Sequence, residues 1–158
     1  MILFPIISLV SNDPPDLDKA VKQLYAVISG PAGQARDWQA FRDMFLPEAR
    51  FVIVVKRPDG TSAVIVSSPD DYAKRSGPML EKDGFFEKET WRSTRIYGNM
   101  AHVWTTYEGR RKQDDAKPFL KGINSVQFVK SGDKWKIAMI TWTDENAAGP
   151  VPKEFGGG

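Results

Sequence analysis

The side chains with most scope for chemistry in this 158-residue chain are one histidine, four tyrosines and two acids spaced two residues apart. There is no cysteine, which excludes thiol nucleophiles, disulfides and thiolate-held zinc. His102 is the single histidine, so neither a His pair nor a Glu-x-x-His metal spacing exists. A Ser-His-Asp triad would have to use this same residue. Gly30-Pro31-Ala32-Gly33 follows a helical pattern instead of opening one, so it reads as a connector and not as a phosphate cradle. Acid–base chemistry is what remains. Glu87 and Glu89 fall on one strand face with Trp91, and either can face a pocket. A carboxylate in a low-dielectric pocket has a raised pKa and becomes a useful base. Tyr25 and Tyr107 would bring hydroxyls that need partners when buried. Nothing in the chain calls for a metal or another cofactor.

These residues must be positioned by the surrounding elements. Asp13-Pro14-Pro15-Asp16 reads as a helix start with Asp13 as cap. Leu17, Ala20, Val21, Leu24, Tyr25 and Ile28 follow at helical spacing, and Ser29-Gly30-Pro31 ends the helix. Asp37 caps a second helix with Trp38, Phe41, Met44 and Phe45 as its apolar stripe and Pro47 as its stop. Phe51 to Val55 and Thr61 to Ser67 form a hairpin around Pro58-Asp59-Gly60. Ser68-Pro69 starts a third helix with Tyr72, Met79 and Leu80 facing inward, kinked or ended by Gly77-Pro78. Four long strands come next: Phe85 to Tyr97, Met100 to Arg110, Phe119 to Lys130 and Trp135 to Thr143. In the second of these, Ala101, Val103, Thr105 and Tyr107 share one face, and His102, Trp104, Thr106 and Glu108 the other. Both faces carry large apolar groups, so the face not covered by helices calls for a partner subunit.

Hydrophobic residues make up 41% and charged residues 27%, an ordinary globular balance for one domain. The net charge is +2, and no basic stripe interleaved with aromatics points to nucleic acid. Met1 to Val10 is apolar but too short to span a bilayer, which takes roughly 20 residues. Residues 1–12 read either as the remnant of a secretory signal that begins upstream or as a segment packed on the domain. The protein is therefore expected in the cytoplasm or, with a truncated signal, the periplasm. The domain is expected over 13–146, with a flexible Pro/Gly tail over 147–158.

The order of helix, helix, hairpin, helix and four long strands resembles the nuclear transport factor 2-like superfamily, which includes SnoaL-like proteins and ketosteroid isomerase. The likeness is closest to uncharacterised bacterial SnoaL-like proteins. It rests on Trp38-Gln39-Ala40-Phe41, Phe45-Leu46-Pro47-Glu48-Ala49-Arg50, Tyr97 to Val103, Tyr107-Glu108, Gly122 to Gln127, Trp135-Lys136-Ile137 and Trp142. The resemblance implies an α+β fold of the cystatin-like kind. A cone-shaped, curved antiparallel sheet carries N-terminal helices over its concave face. It also implies an interior cavity with Tyr25, Trp38, Phe41, Glu89, Thr105, Tyr107, Asn124 and Trp142 as pocket candidates. His102, Trp104 and Gln127 are the candidates for a homodimer face, since Asn124 and Gln127 cannot point the same way on a regular strand.

Three functions fit this reading. The cone binds a small apolar molecule; or it carries out isomerase-, dehydratase- or cyclase-type acid–base chemistry on one; or it is an interaction module with a filled core.

Overall fold

The computed structural model describes residues 12–158, so the apolar N-terminal run lies outside the described residues. The elements are α1 (Pro15–Ile28), α2 (Trp38–Arg42), β1 (Phe45–Lys56), β2 (Ser62–Ser67), α3 (Pro69–Asp83), β3 (Phe86–Tyr97), β4 (Met100–Arg110), β5 (Leu120–Ser131), β6 (Lys134–Asp144) and α4 (Glu145–Ala148). One six-stranded sheet runs in the order β2-β1-β6-β5-β4-β3. Every neighbouring pair is antiparallel except β1 with β6, which is parallel. The expected antiparallel sheet is thus a mixed one, with one parallel pair next to its β2 edge. The fold class is α+β, with the helices against the concave face of the curved sheet.

Alternation along β4 sets the core. Ala101, Val103, Thr105 and Tyr107 are all at most 3% exposed. They meet Val126 and Phe128 of β5, Ile137 and Ile140 of β6, and Leu17, Val21 and Leu24 of α1.

Several local expectations are corrected. α2 stops at Arg42, and Met44 lies beyond it. Phe45 already belongs to β1, where an irregularity between Phe45 and Arg50 accommodates Pro47. Asp13 does not cap α1. Pro14 holds that position without a side-chain bond, and the Asp13 carboxylate instead takes hydrogen bonds of 2.9 Å from Arg92 and Thr94. α3 continues through Pro78 to Asp83, and Met79 points outward at 61% exposure. The Ser68–Asp71 capping box gives that helix a firm start.

β3 carries a bulge between Glu89 and Trp91. Glu89 pairs with Tyr107, but Trp91 pairs with Thr106. Trp91 therefore leaves the face that it was expected to share with the two acids. On the outer face it meets Phe155, at 5.6 Å between ring centres. Residues 149–158 fold back over this region, where a 3₁₀ turn over Lys153–Phe155 seats Phe155 between Trp91 and Trp104. The Thr106 hydroxyl donates to the Phe155 carbonyl at 2.6 Å.

The helices are tied together by one buried arginine. Arg36 is 7% exposed, and its guanidinium donates to the carbonyls of Ile28 at 2.9 Å, Gly30 at 2.7 Å and Leu80 at 3.0 Å. A further short bond goes to the Gln34 carbonyl. The Ile28 and Leu80 carbonyls lie in the last turns of α1 and α3, where carbonyls lack intrahelical partners and the helix dipole favours a cation. Gly30 has to be glycine here, because a Cβ would sit 2.7 Å from the guanidinium. A short bridge between Gly30 and Phe85 then fixes the start of β3 to the end of α1.

Replacing Arg36 with methionine keeps volume but leaves these carbonyls without donors. The expected cost is about 3 kcal/mol, from the loss of charge-assisted bonds and the desolvation of the orphaned acceptors. Equilibrium urea unfolding of Arg36→Met measures it. A loss too small to separate from error would show that the clamp contributes nothing.

Candidate functional site

The helices do not fill the concave side of the sheet. A cavity of about 260 Å³ lies between them. Its one side is aromatic and comes from α2, β1, α3 and β6. Phe41, Phe51, Tyr72 and Trp142 form a box there, with Phe51 edge-on to Tyr72 at 5.3 Å and to Trp142 at 5.5 Å. The other side is polar and comes from α1, β3, β4 and β5, as Tyr25, Glu87, Tyr107 and Asn124. The sheet order separates the two sides, because β1 and β6 lie at one end and β3 and β4 at the other.

Glu87 is the one carboxylate on the cavity wall among the described residues. Its backbone is fixed: the amide donates to the Ser29 hydroxyl at 3.0 Å, and that hydroxyl donates to the Tyr25 carbonyl at 2.7 Å. Its carboxyl group has no hydrogen bond or ion pair among the described residues. Burial among apolar groups pushes its pKa up to about 8, from an ordinary 4.5. An uncompensated acid in such a place binds its proton near neutrality.

The other polar groups split into committed and uncommitted ones. Tyr25 is committed. It accepts from the Asn124 amide at 3.1 Å and lies 2.9 Å from the Thr105 hydroxyl, to which its own proton then points. Thr105 donates in turn to Glu89 at 2.5 Å. Glu89 is neutralised by Arg92, with bonds of 2.7 to 3.2 Å, and Arg92 also binds Asp13 and Asp18 at 2.9 Å each. The result is a chain of hydrogen bonds that ends in an ion cluster beneath α1. Tyr107 and Tyr72 are uncommitted, for their hydroxyls have no hydrogen-bond partner among the described residues. Burial, and then the nearby Glu87 charge, hold both phenols well above their ordinary pKa, so they remain proton donors. Tyr107 lies across Gly122 of β5, where any Cβ would collide with its hydroxyl and with the Thr143 carbonyl.

Of the residues singled out in the sequence, Tyr25, Phe41, Tyr107, Asn124 and Trp142 come together around the cavity. Trp38 does not reach it. Its indole donates to Glu81 at 3.1 Å and braces α2 against α3 over Gly77. Thr105 lies behind the wall at 0% exposure, and Glu89 faces a groove on the other side. Glu87 takes the place that was expected for Glu89. His102, Trp104 and Gln127 lie on the outer face, with His102 Nε2 2.8 Å from the Ser125 hydroxyl. Among the described residues no group of three acids or histidines can hold a metal ion, and no helix is long and apolar enough to cross a membrane.

No protein-family model matches the chain, and no curated protein is detectably similar to it. Solved structures are similar. A protein of unknown function with a cystatin-like fold from Nostoc punctiforme has a TM-score of 0.61 at 9% identity, covering 82% of this chain and 88% of its own. An NTF2-like protein with a cystatin-like fold from Novosphingobium aromaticivorans has a TM-score of 0.60 at 10% identity, covering 82% and 79%. An NTF2-like protein of unknown function from Silicibacter pomeroyi has a TM-score of 0.55 at 16% identity, covering 82% and 92%. At these identities the likeness is one of fold, and that fold is the nuclear transport factor 2-like, cystatin-like one.

The raised pKa of Glu87 is also a statement about stability. The folded state holds the proton up to about pH 8, whereas the unfolded chain releases it near 4.5. Stability from this group is thus fully present below 4.5 and is lost as pH rises through 8. Glu87→Gln is expected to raise the melting temperature at pH 9 and to leave it nearly unchanged at pH 4. Equal shifts at both pH values would contradict the uncompensated burial of this carboxyl.

Proposed function

We propose that the cavity takes up a small apolar molecule and that Glu87 moves a proton to or from it. The observation that carries this is a carboxyl group on an apolar cavity wall, with no ion pair or hydrogen bond among the described residues to occupy it. The aromatic side would hold the apolar body of the molecule. The polar side would meet an oxygen on it.

In the base direction, the Glu87 carboxylate removes a proton from a carbon beside a carbonyl. The electron pair moves toward the carbonyl oxygen, which the uncommitted Tyr107 hydroxyl meets with a hydrogen bond. With a pKa of about 8, roughly a tenth of Glu87 is ionised at pH 7, so base activity would climb through pH 8 while acid activity would fall. A positioned base of this kind contributes about 10²- to 10⁴-fold. Tyr25 has its proton directed at Thr105, which leaves Tyr107 as the better donor. The cavity volume argues against the interaction module with a filled core.

The test is deuterium exchange at carbons beside the carbonyl of one- and two-ring ketones, followed by NMR in D₂O. The protein is expected to accelerate exchange, increasingly up to pH 8, and Glu87→Gln is expected to lose the acceleration. The chemistry is refuted if no ketone exchanges faster with the protein. Binding is refuted if, in addition, native mass spectrometry of protein from its own host finds no retained molecule.

The outer face of the sheet fits a second copy of this chain. Val64 and Val66 on β2 are 64% and 63% exposed, and Trp104 and Met139 are 38% and 36% exposed. Light scattering at about tens of micromolar, a range in which weak interfaces form, is expected to give the mass of a dimer. A monomer there would overturn this assignment.

A further inference from the structure

Glu87 stands in a wall between two spaces. One is the apolar cavity. The other is a groove of about 620 Å³, bounded by Lys22 and Ala26 of α1, Ser29 just after it, Lys88 and Glu89 of β3, and Arg110 with the loop through Asp115. Among the described residues, only Tyr25 and Glu87 line both spaces. The Tyr25 hydroxyl is held by Asn124 and Thr105, whereas nothing among the described residues holds the Glu87 carboxyl to either side.

The groove differs in character from the cavity. Lys22, Lys88, Arg110, Glu89, Asp114 and Asp115 all border it. Many of these charges are already matched: Lys22 to Asp18 at 2.7 Å, Arg110 to Glu108 at 2.9 Å and Glu89 to Arg92 at 2.7 Å. A charged, solvent-facing cleft holds water, and an aromatic box excludes it. A side chain shared by the two can therefore touch an apolar molecule on one side and water on the other.

We infer that this groove is the solvent port of Glu87, through which its carboxyl exchanges protons with water while the cavity remains occupied. The inference rests on the reading of Glu87 as a proton carrier. The Glu87 carboxylate takes a proton from carbon, and the C–H electron pair stays with the bound molecule. The resulting carboxylic acid passes that proton to groove water, which hands it to bulk solvent, and the carboxylate is restored. The favoured reactions are those in which the hydrogen removed need not return to the same molecule, such as elimination of an anionic leaving group, which leaves one proton for the solvent.

Access to Glu87 is measurable without any substrate. A water-soluble carbodiimide adds to a carboxylic acid to give an O-acylisourea, from which the amine of glycine ethyl ester displaces urea to leave an amide. Peptide mass spectrometry then reads the label at Glu87. Ala26→Trp fills the groove from the exposed face of α1, and Ser76→Trp fills the cavity from α3. Circular dichroism checks both folds. Ala26→Met and Ser76→Leu are smaller fillers, judged by the same pattern if a tryptophan is not tolerated.

The expected result is label at Glu87 in the unmodified sequence, loss of it when the groove is filled, and retention of it when the cavity is filled. Any other pattern overturns the port: no label at all, loss only with the cavity filled, loss in both variants or loss in neither. Labelling reads access and ketone exchange reads chemistry, so either result can fail without the other.

Discussion

Four N–H groups of one buried side chain hold the helical layer in place. The Arg36 guanidinium collects carbonyls from the end of α1, from the connector after it and from the last turn of α3. A cation among carbonyls is favourable in two ways, since it satisfies acceptors that have no helical partner and complements two helix dipoles. The site depends on it. α1 ends where Arg36 grips it, Gly30 bridges to Phe85, and two residues later Glu87 leans on Ser29. The Glu87 backbone is held by this chain of contacts, and its carboxyl group is left free of bonds among the described residues.

The two acids of β3 show how neighbouring positions on one face acquire opposite character. Glu89 is met by Arg92 and Thr105 and is spent on holding α1 through Asp13 and Asp18. Glu87, one pleat away, has no such partner: it stands between the apolar cavity and the groove, beside tyrosines whose pKa values are raised. Its ionisation would place a negative charge beside Tyr25, Tyr72 and Tyr107, whose own deprotonation that charge opposes. Charge compensation is concentrated at Glu89, and the carboxyl left uncompensated on the cavity wall is that of Glu87.

Much of this was readable from the chain. The inward row on β4 and the opposition of Asn124 and Gln127 follow from a period of two, which burial of one face enforces. The choice between Glu87 and Glu89 was not readable. On a regular strand, Arg92 would point away from Glu89, so nothing in the spacing reveals their ion pair. The bulge reverses that, and bulges leave no dependable mark in a run such as Glu89-Thr90-Trp91. Arg36 was equally hidden, because the segment before it reads as a plain connector and its partners are backbone carbonyls, which every residue has. Trp38 does lie against the core, as its helical spacing implies, but Glu81 on α3 holds its indole away from the cavity.

The bulge at Thr90 also bears on descent. Chains of this fold compared above share only 9 to 16% of their residues with this one, so residue identity drifts almost without restraint. The length of β3 between Glu87 and Arg92 has no such freedom. Loss of the bulged residue there would turn either the two acids or Arg92 to the opposite side, emptying the interior of its carboxyl group or of the cation that anchors α1. A lineage can therefore rewrite the lining of its cavity one substitution at a time, but an indel in this stretch is a change of organ. Chains that keep the same interior are best recognised by that interval of five residues, whatever letters fill it.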